Sequence, residues 1–257
     1  MAPMVANRSS GLPLSWRFTL RQAVWAAADI AFPPRCAGCG QAGARFCAAC
    51  QQSLAGLPVP VCDLCGYPRA ADEARLCGPC RGRTAPAAIA GMRSTAFFEG
   101  PLRLALHNLK YKRDIILADT LARLLAEAFR TYAVPGDLVL PVPLSAQRLR
   151  ERGYNQAALL ARGFAELAGL PYTLGGATRV RHTATQVGLS ASERWKNLAG
   201  AFKGEARVVS GRRVILIDDV CTTGSTLEAC AEALAAAGAA AVWGLTVARA
   251  RRAAEMS

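Results

Sequence analysis

The sequence predicts an α/β protein in which a parallel sheet with flanking helices follows a small metal-binding module. Apolar segments typical of buried strands alternate with amphipathic helical segments over residues 86–257, and this alternation favours a parallel sheet. Most of the cysteines lie ahead of that region, in pairs between residues 36 and 80. We therefore expect three parts: a tail with an amphipathic helix (1–35), the cysteine module (36–82) and the α/β domain (86–257).

The composition indicates a folded and strongly basic protein. Its 257 residues leave room for one large domain or two smaller ones, and a hydrophobic content of 52% is enough for a sizeable core. The net charge of +13 favours phosphate-rich partners without selecting among nucleotides, nucleic acid and anionic lipid. Residues 20–32 are interrupted by charged side chains, so we expect an amphipathic helix rather than a secretory signal. We also expect no membrane span and a cytoplasmic location.

Eight of the 10 cysteines form C-x-x-C pairs. The pairs are Cys36/Cys39, Cys47/Cys50, Cys62/Cys65 and Cys77/Cys80. Two thiolates at this spacing can face one metal ion, and two pairs complete a tetrahedral site, so eight sulfurs predict two structural Zn²⁺ ions. The alternative, a disulfide framework, needs an oxidising compartment. Sequential pairing closes shorter loops and is favoured; an interleaved arrangement, which joins the first pair to the third, stays open.

The α/β domain is divided into elements by its periodicity and its turn residues. We expect strands at 88–98, 137–142, 172–178, 214–217 and 240–247, and helices at 101–109, 115–130, 155–168, 191–199 and 226–237.

The most informative segment starts with the buried strand at 214–217. Two acids, Asp218 and Asp219, follow where that strand is expected to end, and a loop of hydroxyl residues around one glycine comes next. The loop consists of Thr222, Thr223, Gly224, Ser225 and Thr226. Its hydroxyls and the N–H groups of a helix start can bind phosphate, and the acids can accept hydrogen bonds from ribose hydroxyls and attract Mg²⁺. An ordinary strand end with a helix cap explains neither the doubled acid nor the four hydroxyls.

A basic segment is expected at the same edge of the sheet. The strand at 137–142 delivers the chain from Pro143 onward to the carboxyl edge of the sheet, where open parallel sheets bind ligands. The segment is expected to be a loop that binds pyrophosphate through guanidinium groups. Its candidate residues are Pro143, Leu144, Arg148, Arg152, Gly153, Asn155 and Gln156. The alternative is a solvated loop in which Asn155 caps the next helix.

Two further segments are candidates for contact with a ligand. Residues 179–202 are polar and basic and could close over the ligand as a flap that excludes water. The flap candidates are Arg181, Thr185, Gln186, Arg194 and Asn197. Lys110 and Lys112 could reach a phosphate, although a solvated helix end explains both equally well. An ordinary exposed loop is the alternative for the flap.

The run from Val214 to Thr226 resembles the signature by which type I phosphoribosyltransferases bind 5-phosphoribosyl 1-pyrophosphate (PRPP). The chain as a whole resembles the ComF family of competence-associated phosphoribosyltransferase-like proteins. The matching motifs include Phe32-Pro-Pro-Arg-Cys, Leu109-Lys-Tyr-Lys, Pro141-Val-Pro-Leu, Arg148-Leu-Arg-Glu-Arg-Gly-Tyr-Asn-Gln, Arg179-Val-Arg-His-Thr-Ala-Thr-Gln-Val-Gly-Leu and Arg194-Trp-Lys-Asn-Leu. The resemblance implies a double zinc ribbon, a type I phosphoribosyltransferase fold, PRPP binding with Mg²⁺ and a role in handling incoming single-stranded DNA together with other DNA-uptake proteins.

Three hypotheses follow about function. The first is a phosphoribosyltransferase in which Asp218 and Asp219 are the catalytic carboxylates and stabilise positive charge at the anomeric carbon. The second is a non-catalytic adaptor that binds single-stranded nucleic acid and retains the PRPP pocket. The third is a regulatory protein that senses PRPP. Thr222 stands where purine-salvage relatives carry an acid near the base, which argues against purine salvage; DNA uptake and other nucleotide metabolism stay open.

Overall fold

The computed structural model describes residues 14–31, 33–72, 74–181 and 198–252. A long helix, α1 (Leu14–Ala31), precedes the cysteine module. The module contains two short helices, α2 (Ala48–Gln52) and α3 (Gly78–Arg81), each of which begins directly after a cysteine. Over the described residues, the helices are all too short or too polar to span a lipid bilayer.

A four-stranded parallel sheet forms the centre of the α/β domain, as the sequence predicts. Its strands are β1 (Gly91–Phe97), β2 (Leu138–Pro141), β5 (Arg213–Cys221) and β6 (Ala241–Arg249). Their order across the sheet is β1-β6-β5-β2, and each neighbouring pair is parallel. The residues at 214–217 are completely buried, because both faces of the sheet are covered.

Helices cover the two faces of the sheet. Ile215 and Ile217 lie in the core with helices α4 (Gly100–Tyr111), α5 (Leu117–Thr131) and α7 (Gln156–Ala168). Val214 and Leu216 point to the other face and pack with helix α9 (Ser225–Ala236). This alternation is the two-residue period of a strand. A small antiparallel pair, β3 (Ala177–Arg179) and β4 (Phe202–Gly204), and the short helix α8 (Ala206–Val209) complete the second face.

Three boundaries differ from the sequence-based expectation. The predicted basic loop contains a helix, α6 (Ala146–Arg152), because the Ser145 hydroxyl accepts a hydrogen bond from the Arg148 backbone N–H (3.3 Å) and Gly153 ends the helix with a φ of 83°. The strand expected at 172–178 starts only at Ala177. Strand β5 continues to Cys221 because β6 runs alongside it, so both acids lie within the strand. Most of the helix expected at 191–199 lies outside the described residues.

Arg21 forms ion pairs that hold helix α1 against the α/β domain. The Arg21 guanidinium donates to both carboxylate oxygens of Asp119 on α5, at 2.7 and 2.8 Å. It also lies 2.8 Å from Glu166 Oε2 on α7. Asp119 and Glu166 are both buried, so the arginine neutralises two carboxylates that water hardly reaches.

Candidate functional site

The eight cysteine sulfurs gather into two groups of four. The first group is Cys36, Cys39, Cys47 and Cys50, and the second is Cys62, Cys65, Cys77 and Cys80. The sulfurs of each group lie within 4.8 Å of one another. The pairing is therefore sequential, as favoured, and the interleaved alternative is wrong.

The spacing of the sulfurs fits zinc. Cys36 and Cys50 are separated by 3.7 Å between sulfurs, and Cys65 and Cys77 by 3.6 Å. Four sulfurs at about 2.3 Å from a tetrahedral zinc ion lie about 3.8 Å apart. Backbone N–H groups of Gly38 and Cys47 also donate to Cys36 Sγ, at 3.4 and 3.3 Å, which favours the thiolate that a metal requires.

A cleft of about 870 Å³ opens at the carboxyl edge of the sheet, beyond β2 and β5. This is where open parallel sheets place their ligands. The cleft is lined by Phe98, Lys110, Tyr111, Arg113, Val142, Pro143, Leu144, Arg148, Glu151, Arg152, Gln156, Arg179, Asp218, Asp219, Val220, Thr222 and Thr226.

The structure brings most of the predicted site residues to this cleft. The acid pair, the start of the hydroxyl loop and the basic segment line it together, although they lie far apart in the sequence. Of the remaining candidates, Lys112, Gly153, Thr223, Gly224, Ser225, Asn155 and Arg181 are not among the lining residues. The flap candidates Thr185, Gln186, Arg194 and Asn197 lie outside the described residues.

The two acids at the end of β5 have different surroundings. Asp219 is buried; its Oδ2 forms an ion pair with the Lys110 ammonium, and its Oδ1 accepts a hydrogen bond from Gln156 Nε2 at 3.2 Å. Asp218 is half-buried, and its Oδ1 accepts from the Asp219 backbone N–H at 2.8 Å. The strand has brought two carboxylates together, but among the residues that the structure describes, the one ion pair of these acids joins Asp219 to Lys110.

These surroundings move the two pKa values in opposite directions. Burial, followed by the charge of Asp219, raises the pKa of Asp218 well above its ordinary value. Burial also opposes ionisation of Asp219, but the Lys110 ammonium outweighs it and lowers the pKa of Asp219. For Lys110, burial works to lower the pKa, and the charge of Asp219 outweighs burial and raises it. Asp218 therefore binds a proton more readily than an ordinary carboxyl group does, whereas its neighbour Asp219 stays ionised to a lower pH than usual.

The hydroxyl loop makes a sharp turn into α9. Gly224 has a φ of 85°, a conformation that favours glycine, and it packs so closely on Met92 that a Cβ would lie 2.8 Å from the Met92 sulfur. Thr223 Oγ1 lies 2.7 Å from Ser225 Oγ and accepts from the Ser225 backbone N–H at 3.3 Å. Thr222 and Thr226 line the cleft on either side of this turn. The first N–H groups of α9 are therefore presented near the cleft, where they can bind an anion.

Helix α6 contributes a basic wall to the cleft through two of its arginines. Arg148 and Arg152 line the cleft, whereas Arg150 lies on the exposed side of the helix. The Arg152 guanidinium donates to Gln156 Oε1 and lies 5.6 Å from the centre of the Tyr111 ring. Arg152 thus connects through Gln156 to Asp219, and this series of contacts crosses the cleft from the basic wall to the acid pair.

Sequence reasoning did not single out several lining residues. Arg179 lies near Arg148, and burial together with the charge of Arg148 lowers its pKa. Tyr111 and Arg113 flank Lys112 in the sequence. Helical periodicity offers a signal for Lys110, because residues two apart point to nearly opposite sides and only one of the two lysines can face the cleft.

Asn155 has a structural role at the start of helix α7. Its Oδ1 accepts from the Ala157 backbone N–H at 2.9 Å, so it caps helix α7. Its Nδ2 donates to the Val142 carbonyl at 3.0 Å, which ties the cap to the chain that leaves β2. The alternative interpretation of Asn155 as an N-cap is therefore confirmed.

Comparison with known proteins matches both halves of the chain. Residues 27–83 match a double zinc ribbon domain, and residues 113–257 match a phosphoribosyl transferase domain. The chain is 37% identical over 202 residues to the DNA utilization protein YhgH of Salmonella typhi, which covers 77% of this chain and 87% of that protein. It is 35% identical over 209 residues to Competence protein F of Haemophilus influenzae, covering 78% and 89%. It is 28% identical over 201 residues to Competence protein ComFC of Bacillus subtilis, covering 77% and 80%.

Proposed function

The chain belongs to the phosphoribosyl transferase family, in the ComF group that carries an N-terminal double zinc ribbon, and on this premise we propose that its cleft binds PRPP. PRPP carries a 5′-phosphate at one end of a ribose and a pyrophosphate at the other. The cleft contains an arginine wall, a pair of acids and a hydroxyl turn. The contacts that lead from Arg152 through Gln156 to Asp219, and the short stretch of chain from Asp219 to Thr222, set them in that order. This order is the observation on which the proposal rests.

Each part of the ligand is assigned to one part of the cleft. The turn from Thr222 to Thr226 binds the 5′-phosphate through hydroxyls and the N–H groups that start α9. Asp218 and Asp219 accept hydrogen bonds from the ribose hydroxyls. Arg148 and Arg152 bind the pyrophosphate, because a guanidinium pairs with two phosphate oxygens at once. Pro143 and Leu144 form the adjoining part of the cleft wall.

The acid pair also fits Mg²⁺. Carboxylate oxygens are the ligands that Mg²⁺ prefers. Burial and the charge of Asp219 raise the pKa of Asp218, so a cation nearby would favour the ionised form of this acid. Asp218 and Asp219 would hold the ion together with the oxygens of PRPP. Mg²⁺ held there would supply positive charge that favours the departure of pyrophosphate.

The residues of the cleft also support chemistry at the anomeric carbon. When pyrophosphate leaves, positive charge develops on the ribose, and carboxylates held nearby stabilise that charge electrostatically. Lys110, Arg148 and Arg152 stabilise the negative charge that moves onto the leaving group. On this basis we propose that the protein is a pentosyl transferase, with the flap candidates between residues 181 and 197 excluding water.

The names of the relatives indicate the cellular setting. They refer to competence and to DNA utilization, and the three relatives are covered over 80% or more of their length. We propose that the protein acts in the cytoplasm in DNA uptake or related nucleotide metabolism, with single-stranded DNA and other uptake proteins as partners. Its net charge of +13 supports contact with a polyanion.

Calorimetric titration of PRPP and Mg²⁺ tests the proposal. We expect the unmodified protein to bind PRPP, and Asp219→Asn to bind about tenfold more weakly or worse, which corresponds to about 1.4 kcal/mol. Asp137→Asn is the matched control, because Asp137 pairs with Arg212 and Arg213 on the surface away from the cleft. Equal affinity in the Asp219 and Asp137 variants, or no heat with the unmodified protein, would refute the assignment.

A second assay separates turnover from binding alone. Pyrophosphate release is followed with PRPP, Mg²⁺ and a panel of nucleobases and oligonucleotides. Release that depends on one class of acceptor identifies a transferase. PRPP binding without release, together with oligonucleotide binding that weakens steeply with salt, identifies the non-catalytic adaptor instead.

A further inference from the structure

A buried arginine joins the second zinc site to the hydroxyl turn. Arg249, the last residue of β6, is only 3% exposed. Its Nη1 donates to the Cys65 carbonyl at 2.7 Å and to Cys221 Sγ at 2.9 Å. A charged group is costly to bury unless it is paired, so the two acceptors hold this guanidinium in a defined position. The same nitrogen of Arg249 therefore joins the backbone of Cys65, in the second zinc site, to Cys221 at the end of β5.

Cys221 connects Arg249 to the hydroxyl turn. It is the last residue of β5, is buried, and immediately precedes Thr222 in the cleft. It pairs with Arg249 across the sheet, and its carbonyl accepts from the Ala250 backbone N–H at 2.9 Å. A shift of Arg249 would therefore displace Cys221, from which the hydroxyl turn starts.

A second contact connects the same two parts. The Met92 backbone N–H donates to the Leu64 carbonyl at 2.7 Å, between the two cysteines of the third pair. Gly66 lies so close to β1 that a Cβ would meet the Met92 carbonyl at 2.2 Å. On the other side, the Met92 sulfur lies against Gly224 and within 3.9 Å of Cys221 Sγ. The loop of the second zinc site and the hydroxyl turn thus contact each other through Met92.

The first zinc site packs elsewhere. Cys36 and Cys50 form a cluster with Phe46, Ala105 of α4 and Leu117 of α5. The direct contacts with the turn, through Arg249 and Met92, come from the second site.

We propose that Arg249 is a positioning residue that holds the hydroxyl turn in its ligand-binding conformation by anchoring Cys221 to the second zinc site. The zinc ribbon therefore has a role beyond its own folding, because one of its two metal sites forms part of the support of the cleft. The expected effect on PRPP affinity rests on the function proposed above, whereas the effect on the turn itself does not.

Arg249→Met is the test variant, and Arg252→Met is its matched control. Arg252 contacts the same zinc site: its Nη2 lies 3.2 Å from Cys77 Sγ and its guanidinium lies 4.0 Å from the centre of the Tyr67 ring. Both substitutions remove a cation beside the second zinc site, but of the two arginines it is Arg249 that contacts Cys221. Zinc content is measured in each variant, so that loss of metal is separated from loss of the contact.

The first readout is amide hydrogen exchange of residues 221–226 without ligand. With two zinc ions retained, Arg249→Met is expected to raise exchange in this segment by about tenfold, which corresponds to about 1.4 kcal/mol of local stability. Arg252→Met is expected to leave it unchanged. Unchanged exchange in the Arg249 variant, or an equal rise in both variants, would overturn the proposal.

Cys221 variants test the same contact if Arg249→Met does not fold. Cys221→Ala keeps the Arg249 bond to Cys65 and removes only the sulfur, and it is expected to raise exchange at 221–226. Cys221→Ser keeps an acceptor and is expected to restore slow exchange. Equal exchange in the alanine and serine variants would contradict the proposal.

PRPP titration of the same variants gives the second readout. Weaker binding by about tenfold is expected in Arg249→Met and Cys221→Ala but not in Arg252→Met. If the unmodified protein does not bind PRPP, the proposed function fails, and the exchange comparison still decides whether Arg249 positions the turn.

Discussion

Lys110 and Asp219 form an ion pair on the floor of the cleft, between the last turn of α4 and the end of β5. The Asp219 side chain is 5% exposed and that of Lys110 is 22% exposed, so the pair is largely shielded from water. The proposed function assigns Asp219 to a ribose hydroxyl. We therefore expect the Lys110 ammonium to neutralise Asp219 in the ligand-free protein and to contact the phosphates once PRPP is bound.

Lys110→Met is expected to destabilise the ligand-free protein by about 3 kcal/mol near neutral pH, because it leaves a buried carboxylate without its cation. The control is Lys112→Met, two residues on, where the side chain is exposed and little change is expected. Lys110 lowers the pKa of Asp219 against the effect of burial, so this stabilisation is complete above the ordinary carboxyl pKa and is lost as pH falls through the lowered value. Urea unfolding of both variants at neutral and acidic pH should show a difference that shrinks in acid.

In contrast to Lys110→Met, Asp218→Asn is expected to raise the free energy of unfolding near neutral pH. Burial and the charge of Asp219 raise the pKa of Asp218, so the folded protein binds its proton more tightly than the unfolded chain does. This proton favours folding at low pH, and the benefit is lost as pH rises from the ordinary carboxyl pKa to the raised value. Asparagine does not ionise and still accepts the Asp219 N–H. We expect urea unfolding to show a gain of about 1 kcal/mol near neutral pH, with weaker PRPP binding.

Equal stability of the Asp218 variant and the unmodified protein at every pH would contradict this account of the acid pair. The expected pattern is a gain at neutral pH that disappears below the ordinary carboxyl pKa. A loss of both stability and PRPP binding would instead indicate that Asp218 carries a structural hydrogen bond that asparagine cannot replace.

Arg148 and Arg150 give a matched test of the arginine wall. They lie on the same short helix, but only Arg148 lines the cleft. Removing a charge-assisted hydrogen bond to phosphate costs about 1.5–3 kcal/mol, so Arg148→Met should weaken PRPP binding by roughly tenfold or more. Arg150→Met changes the net charge equally and should have little effect. Comparable losses in both variants would indicate a general electrostatic attraction rather than a built pyrophosphate site.

Double cysteine variants test the sequential zinc pairing. Replacing Cys36 and Cys47 with serine removes two ligands of one site and should reduce the metal content from two zinc ions per chain to one. Replacing Cys36 and Cys62 removes one ligand from each site and should weaken both. An interleaved arrangement predicts the reverse, because Cys36 and Cys62 would then share one metal. Elemental analysis of the purified variants distinguishes the two patterns.

The parts of the site that follow a local rule could be predicted from the sequence. The apolar run at 214–217 identifies a strand buried on both faces, and the strand-to-helix turn around Gly224 follows from the hydroxyls and the glycine beside it. The cysteine spacing likewise predicts two four-sulfur groups. Each of these features depends on residues that are close together in the chain.

Other parts depend on contacts between distant segments and could not be predicted in this way. The acids were expected beyond the strand, but β5 extends through them because β6 continues pairing as far as Arg249. The segment after β2 was expected to be a loop, since its one capping serine is a weak signal for a helix of seven residues. Helical periodicity predicts that only one of Lys110 and Lys112 faces the cleft, but the choice of Lys110 depends on its contact with the distant Asp219. Arg249 belongs to no local pattern, and only the folded chain brings it between Cys65 and Cys221.

The ion pairs of Arg21 with Asp119 and Glu166 limit where the chain can be cut to give a stable fragment. A fragment that begins at residue 86 would contain Asp119 and Glu166 but not the guanidinium that lies between them. Two uncompensated carboxylates beneath a removed helix would repel each other and draw water toward α5 and α7. The α/β domain therefore depends electrostatically on a helix that precedes the zinc ribbon, and an independently stable version would first need these two acids replaced by their amides.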